Sequence, residues 1–460
     1  MVGRMAIAPS PEPVGKPLGA GAFGAVTAAY GWAHYGKSLF WYTSEILFAF
    51  FLTEVGGLTG RGMGVVLGLG LLASVGFDLA FGWGLRSRLA EVQRAARLQL
   101  TGAMLSAGAL GALFLTPWVD AAQVKFAFAL AAMLAFRCAY AVYDLPQNVL
   151  LALATGSAQA RTRVATLRLF FSGLATLSVS LLVGLAVADG DAQSRARAFL
   201  WSAAAIAVLA VGSAWGLRRA LSGAPAPADD PGPAPSALPL STSPAASTLA
   251  PAALLLAATF VVSLTASMFS KLEPYLAAYV LASPIWGGAM ITAAALGTTF
   301  SQLGWAWLSA RRSRPAVFAL AAALLIAAAL VFLAGVTISP WIGLVAALAF
   351  GAASGGLGSL MWAAFGDVVA GRAQMAGGLA FATFTGVSKL ALALSGLLLG
   401  LFLHAFDYRD PDGRAVLLAM TLWPALGGAA CLVLAALWMR RRGPAAFGAA
   451  PARARSRCGA

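Results

Sequence analysis

Tyr30, His34, Lys37, Trp41 and Glu45 follow one another at steps of three and four, with Ser38 at the edge of the series. That spacing puts side chains on one face of a helix. Arg137, Tyr140, Asp144 and Asn148 repeat it, and Thr385 and Lys389 lie one turn apart. Lys271, Glu273, Pro274 and Tyr275 are bunched together, while Asp78 and Arg168 stand singly. Acids, bases and aromatics placed in this way can hold a polar solute, carry a proton, or simply knit helices together.

Enzyme chemistry is not expected. There are two histidines, His34 and His404, with no Ser-His-Asp or metal-ligand cluster. No phosphate-binding glycine loop precedes a helix with Lys-Ser/Thr, since Gly31, Gly36, Lys37 and Ser38 fall inside the first apolar segment, and this argues against an ATP-driven pump. The expected cofactors are therefore none, with H⁺ or Na⁺ possible as a coupling ion. Cys138, Cys431 and Cys458 have neither metal spacing nor a CxxC pattern and read as packing residues.

The elements that must position these residues are apolar. Of 460 residues, 60% are hydrophobic and only 10% charged, and mean hydropathy is +0.83. Too few charges are available to cover a water-exposed surface, so most of the chain must meet lipid. Apolar segments fall near 26–53, 62–85, 98–117, 124–152, 164–188 and 197–217, then near 250–281, 285–310, 315–335, 339–364, 374–404 and 415–439. Between the two sets, Leu221 to Thr248 is rich in Pro, Ala and Ser and loses apolar periodicity, as a flexible linker does.

The expected fold is all-α: about twelve transmembrane helices in two six-helix halves, the layout of the major facilitator fold, with the halves as parallel repeats around a central cavity. The expected divisions are an N-terminal tail at 1–25, a first half at 26–217, a linker at 218–249, a second half at 250–439 and a basic C-terminal tail at 440–460. The first 25 residues lack a signal-peptide h-region with a cleavage site.

Of 31 Lys and Arg, 20 fall in the tails and loops on one side of this layout and six on the other. The positive-inside rule then places both termini in the cytoplasm of a bacterial-type inner membrane, with multiple passes. The net charge of +15 follows from that rule and does not imply nucleic acid. The expected partners are the bilayer and a small-molecule solute, bound by a monomer.

Five basic residues remain inside the spans: Lys37, Arg137, Arg168, Lys271 and Lys389. They face four acids, Glu45, Asp78, Asp144 and Glu273. A charge at the bilayer centre costs about 2.5–3.5 kcal/mol even on lenient scales, so these groups must line a wet cavity or pair with one another. Glu45 and Arg168, nearer the span ends, can also snorkel or act as stabilising partners. Pro274 is expected to break or kink its helix.

The stretch Tyr30 to Thr59 resembles the first helix of the melibiose-permease-like family, the glycoside–pentoside–hexuronide:cation symporters. YAVYDLPQNVLLALAT, Arg161 to Ala175, GDVVAG and TGVSK are similar to that family's later segments. The resemblance implies coupled uptake of sugars or uronides. It implies a cation site at Asp78 with Thr385 and Lys389 close by. Asp144 falls on an acid that contacts sugar, and Arg168 on an arginine near the substrate.

This sequence departs from the family where Gly82 replaces a second carboxylate, Ser38 a sugar-binding acid, Ala141 a threonine of the cation site, and Asn148 an aromatic. A hard Na⁺ ion needs several oxygen ligands, so H⁺ coupling through Asp78, or no coupling, is expected. Lys37, Ser38, Trp41, Tyr140, Asp144, Asn148 and Arg168 form the expected substrate set. Glu45, Arg137, Lys271 and Glu273 are further buried charges. A carrier of organic anions or lysophospholipids is the alternative, suggested by the extra basic residues. A non-transporting receptor or assembly factor, with sealed and fully paired charges, is the second alternative.

Overall fold

A computed structural model describes residues 20–89, 91–153, 158–187, 191–222, 246–370, 377–410 and 412–441. The expected linker falls largely, and the two tails almost wholly, outside them. Twelve long helices run through the described residues. In the first half they are α1 (20–55), α2 (Gly60–Gly84), α3 (Val92–Phe114), α4 (Ala122–Leu153), α5 (Ala158–Val187) and α6 (Ala192–Ser222). In the second they are α7 (246–280), α8 (Pro284–Ser309), α9 (Arg314–Gly335), α10 (Pro340–Ala370), α11 (Gly377–Ala405) and α12 (Arg414–Arg441). Among the described residues, eight of these helices are long and apolar enough by composition alone to cross a membrane. The first helix, which carries Lys37, Glu45 and Glu54, is not among the eight. Strongly exposed Trp83, Leu181, Trp201, Ile285, Leu303 and Trp341 form the apolar exterior that lipid would cover.

The two halves repeat one packing scheme. In the first, α1 packs on α5 and α6, α2 on α4, α3 on α4 and α6. In the second, α7 packs on α11 and α12, α8 on α10, α9 on α10 and α12. The pairings are the same with six added to each helix number. No sequence repeat announces this; the repeat lies in the packing. The halves meet through α2 with α11, α5 with α8, and α1 with α7.

Local chemistry sets the helix ends. Thr59 accepts a hydrogen bond from Gly62 N (3.1 Å) at the start of α2, satisfying a donor that helix ends leave free. Asp191 does the same for Ser194 N (2.6 Å) before α6, and this bond holds its carboxyl below the usual carboxylate range. Gly57 turns the chain between α1 and α2 at φ 74°, a conformation that favours glycine.

The α2–α11 seam depends on missing side chains. A Cβ on Gly64 would lie 2.9 Å from Gly400 Cα, and one on Gly400 2.6 Å from Gly60 O. The two backbones are in contact there, as small residues allow between membrane helices.

Two helices are not regular. α1 passes through wide π turns at Thr43–Leu47 and Phe51–Val55, and α7 ends in one at Leu276–Val280. Of the break or kink expected at Pro274, the break does not occur, and the irregularity begins two residues later. The α-helical path runs on through Tyr275, and the missing donor of Pro274 is accommodated beside the π turn that follows.

Candidate functional site

The stripe on α1 divides where its first π turn begins. Above and below that point its residues serve different clusters.

The lower cluster stays within the first half. Lys37 Nζ donates to Asp144 Oδ1 (2.6 Å) and to Asn148 Oδ1 (3.2 Å). Asn148 Nδ2 donates to Asp144 Oδ2 (3.0 Å), and Arg168 Nη2 donates to Asn148 Oδ1 (3.1 Å). The spacing of Asp144 and Asn148 on α4 aligns them, while α1 and α5 bring the two cations. Ser38 and His34 both reach Ser172 of α5, at 3.2 and 3.0 Å. Tyr30 OH donates to the Gln147 carbonyl (2.9 Å) and fixes α1 against α4. Arg168 thus belongs to the cluster and does not snorkel.

The upper cluster joins the halves. Glu45 accepts from Arg137 Nη2 of α4 (3.2 Å) and from Lys271 Nζ of α7 (2.8 Å). Arg137 is 1% exposed and also lies 5.6 Å from the centre of the Trp41 ring, a cation–π distance. Its Nε and Nη1 atoms find no acceptor among the described residues. Trp41 stacks in turn near Tyr140, with ring centres 6.1 Å apart. Glu45 is therefore a bridge between helices, not an interfacial group.

A third contact also crosses the halves. Lys389 of α11 pairs with Asp78 Oδ2 of α2 and donates to Ser74 Oγ (3.1 Å). Asp78 Oδ1 has no partner among the described residues. Thr385 sits one turn before Lys389 and is half-buried.

A cavity of about 360 Å³ opens between the halves, within the size range of small-molecule sites. Its walls come from α1, α5, α7, α8, α10 and α11. Trp41, Tyr42 and Phe350 give it aromatic surface, and Glu45, Lys271 and Glu273 give it ionisable groups. Of the expected substrate set, only Trp41 lines it. Lys37, Asp144, Asn148 and Arg168 meet one another but lie outside its wall.

Sequence reasoning missed the hydroxyl lining: Ser172 and Thr176 on α5, Ser263, Ser267 and Ser270 on α7, and Thr298, Thr299 and Gln302 on α8. Serines at 263, 267 and 270 on an otherwise apolar helix were a readable signal. It also missed the rim at the face opposite the chain ends. Glu54 there accepts from Tyr408 OH (2.8 Å), from Arg409 Nη2 (3.0 Å) and from Tyr279 OH. Beside it, Thr53 and Tyr275 hydroxyls lie 2.8 Å apart. Glu54 sits one residue past the first apolar segment, and its partners are in sequence more than two hundred residues away.

The described contacts between halves thus run from this rim down to Asp78 and Lys389. Twelve long helices, a repeated packing scheme and a cavity between the halves with ionisable and hydroxyl side chains in its wall make up the architecture of a membrane carrier. Residues 29–442 match the family described as MFS/sugar transport protein.

The chain belongs to the MFS/sugar transport protein family.

Its fold is similar to that of the nucleoside transporter NupG, with a TM-score of 0.63 at 13% identity over 89% of this chain and 99% of that one. A bacterial homologue of the iron transporter ferroportin in its inward-facing state gives 0.62 at 12% identity, over 90% of this chain and 98% of that one. A POT family transporter gives 0.62 at 11% identity, over 90% and 95%. At such identities the likeness carries the fold alone. No curated protein matches the sequence. The membership establishes a multi-pass membrane carrier and makes a catalytic role unneeded to account for its polar residues.

Proposed function

We propose that the protein is a proton-coupled symporter that moves a small polyhydroxy solute of the sugar or glycoside kind by alternating access. The observation that carries this reading is the Asp78–Lys389 pair between the halves. One carboxylate with one lysine partner and one serine hydroxyl is a poor set of ligands for Na⁺. It is a good proton site, because protonation removes the charge that holds Lys389 and so releases α2 from α11.

The cavity supports the solute class. Serine, threonine and glutamine side chains can exchange hydrogen bonds with hydroxyl groups, and Trp41 offers a flat apolar face to a ring. The Lys37–Asp144–Asn148–Arg168 cluster lies in the first half, with Lys37 one turn before Trp41 of the cavity wall, where a longer solute could reach it. Both chain ends lie in the cytoplasm on the basic-residue count, which makes the rim closed by Glu54 the external one.

The test is uptake into proteoliposomes of a panel of glycosides, uronides and lysolipids under imposed H⁺ or Na⁺ gradients. Glycoside uptake driven by a pH gradient and lost in Asp78→Asn is the expected result. Uptake driven by Na⁺ alone would refute the proton assignment. A specific observation favours organic anions as the second reading: Glu45 is shared by two cations, and Arg137 keeps two unused donors. Uptake of a uronide but not of the matching neutral glycoside would select it.

A further inference from the structure

Glu273 is the one acid of the central group that no base meets among the described residues. It lies on α7, is 3% exposed, and its Oε1 atom is enclosed without a hydrogen-bond donor. Ser263, Ala266, Ser270 and Glu273 follow at steps of three and four and all line the central cavity. The carboxyl therefore belongs to the cavity wall and not to the lipid face.

Among the described residues, nothing around it supplies a compensating charge. On its own helix, Lys271 is engaged by Glu45. On α1, Lys37 is held by Asp144, Glu45 by Lys271 and Arg137, Glu54 lies up at the rim, and His34 is bound to Ser172. On α5, Arg168 is turned to Asn148. On α11, Lys389 is engaged by Asp78, and His404 stands near the end of the helix. The span of α8 has no charged residue, and the charged residues of α12 stand at its ends. α10 has no charged side chain among the described residues whose burial is known. Tyr42, which also lines the cavity, and Tyr275 on the same helix carry no basic group to balance a carboxylate.

We propose that Glu273 is a second proton-binding site, holding its proton as a neutral carboxylic acid while the cavity is closed to the rim side and releasing it into the cavity when a cationic partner or water arrives. A buried carboxylate with no cation and no donor is unfavourable, whereas the acid form can itself donate a hydrogen bond. A partner is close at hand in sequence. Lys271 precedes it by less than one turn, and the π turn after Pro274 gives this end of α7 an irregular backbone that can rotate. When the Glu45–Lys271 contact opens, Lys271 is left without an acid, and Glu273 is the nearest carboxyl on its helix. The proton leaves Glu273 to cavity water; no other bond is made or broken.

This site is separate from the Asp78–Lys389 pair and does not depend on the identity of the solute. The test is infrared difference spectroscopy of the purified full-length protein in lipid, between acid and alkaline pH, without solute. One component of the carbonyl stretch of neutral carboxylic acids is expected in the wild type and in Asp78→Asn, lost in Glu273→Gln while the other carboxyls keep theirs, and displaced but present in Glu273→Asp. A spectrum unchanged by Glu273→Gln overturns the proposal, whatever the outcome of the uptake experiment. If Glu273→Gln is not folded, Glu273→Asp decides: an unshifted band overturns the proposal equally. Given transport, Glu273→Gln is expected to lose solute accumulation against a gradient. Accumulation kept at the wild-type level would also overturn it.

Discussion

Asp144 and Glu45 sit in neighbouring clusters, and each lies between basic groups. Asp144 holds Lys37 and Asn148, and Asn148 holds Arg168; all four come from α1, α4 and α5 of one half. Glu45 holds Arg137 of α4 and Lys271 of α7, from different halves. If the halves rock against each other, the first cluster moves as a rigid unit and the second must come apart. The same distinction separates the Lys37 cluster from Asp78–Lys389 and from the Glu54 rim, both of which cross between halves. Contacts within a half build a site. Contacts between halves report and set the state.

The largest effect should come from removing the acids themselves. Glu45→Ala strands Arg137 and Lys271, which are 1% and 2% exposed, and should destabilise the protein by about 3–5 kcal/mol. Asp144→Ala strands Lys37, but Asp144 itself is 24% exposed, so water can enter, and a loss of about 1–3 kcal/mol is expected. Thermal unfolding in one detergent would compare them. Equal losses would break the distinction between the clusters.

Paired cysteines sharpen it further. Gly173 of α5 and Thr299 of α8 face each other across the halves, with a Cβ built on Gly173 lying 3.0 Å from Thr299 Cβ. Ser38 and Ser172 face each other inside one half at 3.2 Å. Oxidised cysteines at the first pair should stop transport until reduced, while oxidised cysteines at the second should leave the rocking motion free. Solute exchange before and after reductant reads both, and an equal block at the two sites would argue against rigid halves.

A smaller change is expected from Gly400→Ala. Its methyl group meets Gly60 O and Gly64 Cα, and overpacking there should cost about 1–3 kcal/mol, charged only to the state in which the rim is closed. Thiol labelling from the rim side should therefore increase. Smallest is Arg409→Ala. Its side chain is 56% exposed while Glu54 keeps the hydroxyls of Tyr279 and Tyr408, so about 0–1 kcal/mol is at stake. Rim opening should quicken slightly, most visibly at low salt.

Much of the fold was legible because lipid imposes it. Long apolar runs have one economical backbone form. Asp144 with Asn148, and Lys37 with Trp41, were legible as helical faces, since spacing alone fixes a face. The partnership of Glu45 with Lys271 was not, because it joins positions 226 apart in sequence. Nor could spacing foresee that a π turn at Thr43–Leu47 would divide the α1 stripe between two clusters. Pro274 was read as a break or kink because proline removes a donor; the α-helical path runs through it and a π turn follows at Leu276–Val280.

By itself, the sequence determined that this chain crosses a membrane many times, that it has two sets of six spans, and that it buries nine ionisable groups in them. Those follow from the cost of exposing polar groups to lipid, which is local and additive along the chain. Only the tertiary structure decided which acid meets which base, which hydroxyls share a cavity, and that Glu273 meets no counter-charge among the described residues. Such pairings depend on the register and rotation of helices far apart in sequence. Close glycine packing between α2 and α11 and the π turns of α1 and α7 set that register here.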